Sequence, residues 1–140
     1  MITFVDAQYC YEALTAHRRN LRLDYSLLPS GARVYCKYTV YPHGFIAYLN
    51  SVNLLAVPLA ISEYPEPLTT YIVRDLWECQ GKSITLFAGD PLLVPVLKAL
   101  KSLGSKVKVV AHELVPFKEF EIEWLTNYAK TTAHTMTGSD

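Results

Sequence analysis

Short apolar runs alternate with stretches of helical spacing along most of the chain. Ile2-Thr-Phe-Val5 reads as a short buried strand. Residues 8–20 follow as a helix, with Tyr11, Leu14 and Arg18 at i, i+3 and i+7. Residues 21–31 contain Asp24, Pro29 and Gly31 and predict a loop. Residues 33–40 are rich in β-branched and aromatic side chains and predict a second strand. Beyond the break at Pro42-His-Gly44 come a short helix over 45–49 and a third strand over 54–60. Pro65-Glu-Pro67 opens a helix that runs to Gln80, with Gly81 as its stop. Residues 84–87 form the fourth strand. Leu93, Val96, Leu97 and Leu100 then keep helical spacing up to Gly104. Residues 107–111 form the fifth strand, and 117–130 read as mainly helical, with 124–128 able to end as an edge strand. Residues 131–140 show no apolar period and predict a frayed, disordered tail.

Strands that alternate with helices imply βαβ crossovers and a mostly parallel sheet covered on both faces. The expected fold is therefore α/β and Rossmann-like, one domain over 1–130, with three layers around a five-stranded sheet of order 3-2-1-4-5. In such sheets the working groups lie beyond the carboxyl ends of the strands, near the point where strand order reverses. Asp6 directly follows the first strand, and Asp90 follows the fourth after one Gly. With that order both carboxylates project into one crevice. Two close acids repel unless a cation or shared proton relieves them, and a divalent metal such as Mg²⁺ or Mn²⁺ suits oxygen ligands. A second reading stands beside this one: Asp at a strand-to-helix junction caps the helix by accepting its orphan N–H groups.

The segment that carries Asp90, Gly89-Asp-Pro-Leu-Leu-Val-Pro-Val-Leu-Lys-Ala-Leu100, resembles the core motif of NYN domains in the PIN-like nuclease superfamily. That motif reads approximately S-G-D-x-D-F-x-P-L-x-x-x-L, followed by a Gly and a strand. Gly89, Asp90, Pro95, Leu100 and Gly104 fall in register with it, as does the strand at 107–110. Phe4-Val-Asp6 looks like the family's first strand with its leading Asp, and residues 33–41 and 45–49 look like its second strand and next helix. The resemblance implies a PIN-like fold and a metal-dependent ribonuclease, with Asp6 and Asp90 as catalytic metal ligands. Asp75-Leu76 matches the acid that the family places on the helix before the fourth strand, so Asp75 is the implied third ligand. A solvated helix acid paired with a Lys or Arg is the other reading of Asp75. The chain departs from the pattern at Leu92, where the family has a second Asp, at Tyr9, where it often has Asn, and at Ala88 for Ser. These departures imply an alternative: a catalytically inactive PIN-like module that binds RNA or protein. Pro95 places the helix start near Leu92 and leaves Asp90 free to face the crevice.

Composition narrows the partners. Hydrophobic residues make up 51% and charged ones 19%, and thirteen basic residues balance thirteen acidic ones. RNA binding would then need a local patch rather than a global positive field. His17-Arg-Arg-Asn20 with Arg22 is such a patch or a solvated helix end, and Lys98, Lys101, Lys106 and Lys108 read as a solvent face. The ten tyrosines fit base stacking or core packing alike. His17, His43, His112 and His134 lack metal-ligand spacing, and Glu66 reads as a first-turn charge. Cys10, Cys36 and Cys79 have no CxxC spacing and read as reduced core residues. No Gly-rich phosphate loop or GxSxG elbow is present. No basic leader and no apolar run of about 18 residues appears, so a cytoplasmic protein without membrane partners is expected. Trp77 and Trp124 are candidates for a homodimer face.

Overall fold

The apolar run at the start of the chain becomes β1 (Ile2–Asp6), the strand on which the fold is centred. The computed structural model describes residues 1–37, 43–59 and 68–132. After β1 come α1 (Ala7–His17), β2 (Leu21–Leu23), β3 (Arg33–Lys37), α2 (His43–Ser51) and β4 (Leu55–Leu59). α3 (Leu68–Leu76), β5 (Ser83–Phe87), α4 (Leu93–Ser102), β6 (Lys106–Ala111), β7 (Glu121–Trp124) and β8 (Ala129–Thr131) complete the order. β1 pairs in parallel with β3 on one side and β5 on the other. The central sheet runs β4-β3-β1-β5-β6-β7, and each pairing within it is parallel.

Helices cover both faces. On one, Phe4, Leu86 and Val109 of the sheet pack with Ile72 of α3 and Leu97 of α4. On the other, Val5, Val34 and Phe87 pack with Cys10 and Leu14 of α1 and Leu49 of α2. Strands buried on both faces read as continuous apolar runs. Cys10, Cys36 and Cys79 are free thiols within this packing. Among the described residues no helix is long and apolar enough to cross a membrane.

Two expectations need correction. Among the described residues the sheet has six strands rather than five, so the order gains a strand beyond β6. That strand, β7, replaces the helix expected over 117–130. Glu121-Ile-Glu-Trp124 alternates polar and apolar with period two, and the Lys108 ammonium meets Glu123 Oε1 at 2.7 Å across the β6–β7 pair. Only 3₁₀ turns, Val115–Phe117 and Leu125–Tyr128, flank it. Second, the loop expected over 21–31 holds β2, which pairs antiparallel with β8. β8 reaches Thr131, and of the expected tail, residues 133–140 lie outside the described residues. The helix opened at Pro65 is seen from Leu68, and its opening residues, Glu66 among them, also lie outside. α4 begins at Leu93, so Pro95 is its third residue, where the missing N–H is not needed by the helix.

Burial separates two leucines that composition treats alike. Leu86 is fully buried in the central strand β5, whereas Leu92 is 76% exposed. Leu86→Ala is expected to lose about 2–5 kcal/mol in urea unfolding, and Leu92→Ala to stay within about 0.5 kcal/mol of the parent. Equal losses would contradict this placement.

Candidate functional site

The chain leaves β1 toward β3 and β4 and crosses back to β5, so the order reverses between β1 and β5. Asp6 ends β1 and also caps α1, its Oδ1 accepting the Tyr9 N–H at 3.0 Å. Asp90 follows β5, and its Oδ1 accepts the Leu92 N–H at 3.0 Å. Both aspartates line one open crevice of about 420 Å³. At Asp6 capping and facing the crevice therefore coexist, since a carboxylate has about four lone-pair positions; Asp90 does not cap α4, whose N-cap is Leu92.

Glu12, Lys37 and Thr69 share the crevice. Asp6 is only 7% exposed. Burial pushes its carboxyl up to about 6; the Tyr9 and Gln8 N–H groups oppose that shift, and the charges of Glu12 and Asp90 add to it. A cation in the crevice would relieve this tension. Among the described residues no group of three or more His, Cys, Asp or Glu side chains converges to hold a metal. Mg²⁺, however, commonly keeps several waters and takes one or two carboxylates. Asp6 and Asp90 fit that hydrated mode and not a closed protein cage.

Asp75 is not brought to the crevice. It lies six residues beyond Thr69 on α3, about 9 Å along the helix axis. Its carboxylate accepts the Tyr35 hydroxyl and pairs with Arg74 Nε at 2.9 Å. The Arg74 guanidinium holds it below the usual carboxylate range, with burial opposing and Tyr35 assisting. Of the histidines, His17 and His112 meet edge to face at 5.2 Å, and His134 lies outside the described residues.

Tyr9, read from sequence as a missing ligand, is part of the wall. Its hydroxyl accepts the His112 N–H at 2.9 Å, joining α1 to the end of β6. Its ring lies against Gly89 so closely that a Cβ there would sit 2.2 Å from Cε1 and Cζ. Burial raises the Tyr9 phenol above its ordinary value. Glu12 and Lys37 were not singled out from sequence, yet signals for both exist. Gln8 and Glu12 share a helix face, with the amide donating to Oε1 at 3.1 Å. Lys37 is the last residue of β3, at the carboxyl end where such sheets place their ligands.

The raised Asp6 carboxyl makes stability depend on pH. Between about pH 4 and 6 the unfolded chain ionises this group while the folded chain keeps it protonated, so its contribution falls as pH rises. Asp6→Asn keeps a competent cap and removes the titration. Urea unfolding is expected to show the variant gaining on the parent by about 2 kcal/mol from pH 4 to 7; a difference constant with pH would refute the assignment. Gly89→Ala forces Tyr9 aside and is expected to cost about 1–3 kcal/mol. In Tyr9→Ala the same change is expected to cost less, a coupling that a double-mutant cycle measures.

No protein-family model and no curated protein matches the chain. Among solved structures, the chain is similar to a crystal structure of a protein of unknown function from Vibrio parahaemolyticus RIMD 2210633. The TM-score is 0.65 and the identity 18%, over 79% of each chain. At that identity the similarity speaks for the fold alone: a mixed α/β domain compatible with a Rossmann-like arrangement.

Proposed function

We propose that the domain is PIN-like of the NYN type, and that its crevice hydrolyses RNA phosphodiester bonds with Mg²⁺ or Mn²⁺ held by Asp6 and Asp90. The observation that carries this reading is a buried strand-end carboxyl, lifted to about 6, that shares an open crevice with a second Asp. When bound, a divalent cation polarises the phosphoryl group and lowers the pKa of water. Lys37 supplies positive charge for the scissile phosphate, and Glu12 takes the proton of the attacking water as general base. Tyr9, fixed to His112 and packed on Gly89, closes the wall behind Asp6. Asp75 has no role in this scheme; it holds α3 to β3 through Tyr35. The three free buried thiols support a reducing, cytoplasmic setting.

A second reading has its own support. Leu92, where the resemblance leads one to expect an acid, is exposed, and Asp75 is engaged away from the crevice. The same fold then serves as an RNA- or protein-binding module with a residual acidic crevice.

One experiment separates them. Purified protein is expected to cleave single-stranded RNA with Mn²⁺, and Asp90→Asn to lower kcat on the order of 10²-fold. Mn²⁺ at about 100 times its Kd is expected to stabilise the parent by about 2.7 kcal/mol. A parent that neither cleaves nor gains stability would favour the binding module.

A further inference from the structure

The central sheet ends in two edge strands that differ in what they offer a further strand. β4, at one edge, contains Pro58, which has no N–H to give. β7, at the other edge, reads Glu121-Ile-Glu-Trp124 and has no proline. It pairs with β6 on its inner side, and among the described residues no other backbone hydrogen bond engages residues 121–124. Register assigns the side chains to faces. Ile122 and Trp124 stand beside Val109 and Ala111, on the face covered by α3 and α4, and remain 39% and 53% exposed. Glu121 and Glu123 stand on the opposite face. There the Glu123 carboxylate receives the Lys108 ammonium at 2.7 Å and the Tyr128 hydroxyl at 2.7 Å. Charge commonly guards an exposed edge against pairing, and at Glu123 that charge is already answered within the chain.

We propose that β7 pairs antiparallel with β7 of a second copy of this chain, joining two six-stranded sheets across a two-fold axis. The sequence of β7 itself selects this occupant and its register. A two-fold axis perpendicular to a continuous sheet sets residues of the same face opposite each other, so it passes between one residue and its own copy. Axes at Glu121 or Trp124 overlap a single residue of the strand, whereas axes at Ile122 or Glu123 overlap three. With the axis at Ile122, Glu121 faces Glu123 of the copy on both sides, and like charges directly opposite are destabilising. With the axis at Glu123, Ile122 faces Trp124 of the copy on both sides, two aromatic–β-branched pairs. The two Glu123 carboxylates then meet with a Lys108 ammonium beside each, so the four charges cancel. β7 is thus complementary to itself in one register. The inference stands apart from the reading of the crevice, whose aspartates lie at the ends of β1 and β5.

The test is analytical ultracentrifugation of the full chain over a concentration series, joined to cysteine crosslinking. At about 100 μM the expected mass is twice the 15.8 kDa of the chain, a weak association in keeping with a short strand pair. Ile122→Lys and Trp124→Lys are each expected to weaken dimerisation about 10- to 100-fold. Both side chains are exposed, so the urea midpoint measured on dilute protein is expected to stay unchanged. Residues directly opposite in an antiparallel pair lie within disulfide reach. Under mild oxidation Glu123→Cys is therefore expected to crosslink to its own copy, and Ile122→Cys alone is not. Ile122→Cys combined with Trp124→Cys is expected to crosslink. The three native thiols are buried and take no part. A parent that stays monomeric across the series overturns the proposal, as does a dimer that folded Ile122→Lys and Trp124→Lys leave unweakened. Crosslinking by Ile122→Cys alone, with none by Glu123→Cys, overturns the assigned register.

Discussion

Everything in this molecule hangs on β1 being paired on both edges and packed on both faces. Its backbone hydrogen bonds run to β3 and β5, and its side chains from Phe4 to Asp6 are almost wholly out of water. Such a strand tolerates apolar residues, and it ends in an acid. The energetic conflict at Asp6 follows directly from that position, because the strand cannot be central without burying its own terminus. Backbone N–H groups at the start of α1 soften the conflict without removing it.

Asp90 approaches the same crevice from a more open position, after Gly89 has let the backbone pass beneath Tyr9. The phenol ring thus stands where the resemblance leads one to expect an amide ligand, and its hydroxyl joins α1 to the end of β6. The crevice that results is acidic but includes Lys37. A separate cavity is lined by Tyr11 of α1 with Arg22, Leu23, Tyr25 and Phe45. A single helix, α1, contributes to both.

The five apolar runs and the carboxylates at the ends of two of them were legible in the sequence, because strands covered on both faces need unbroken apolar character. β7 was not, since four alternating residues between Pro116 and a 3₁₀ turn resemble a helix face, and only pairing with β6 distinguishes them. β2 escaped for a similar reason: its partner lies more than a hundred residues away. Asp75 shows the limit for sites. Periodicity assigns it to a helix, but whether a helix residue reaches the strand ends depends on axial depth, which only the assembled layers set. Tyr9 was legible as a departure from a motif; its contact with Gly89 depends on α1 meeting the end of β5.

The β2–β8 ribbon has a consequence for how the protein is made. Leu21–Leu23 are synthesised early, yet their partners, Ala129–Thr131, emerge only after every strand of the central sheet. During translation the sheet can therefore assemble from β1 onward while Leu21–Leu23 wait unpaired. Leu23 lies in a buried cluster to which Leu125, Tyr128 and Ala129 also belong, so that cluster is completed only at this final step.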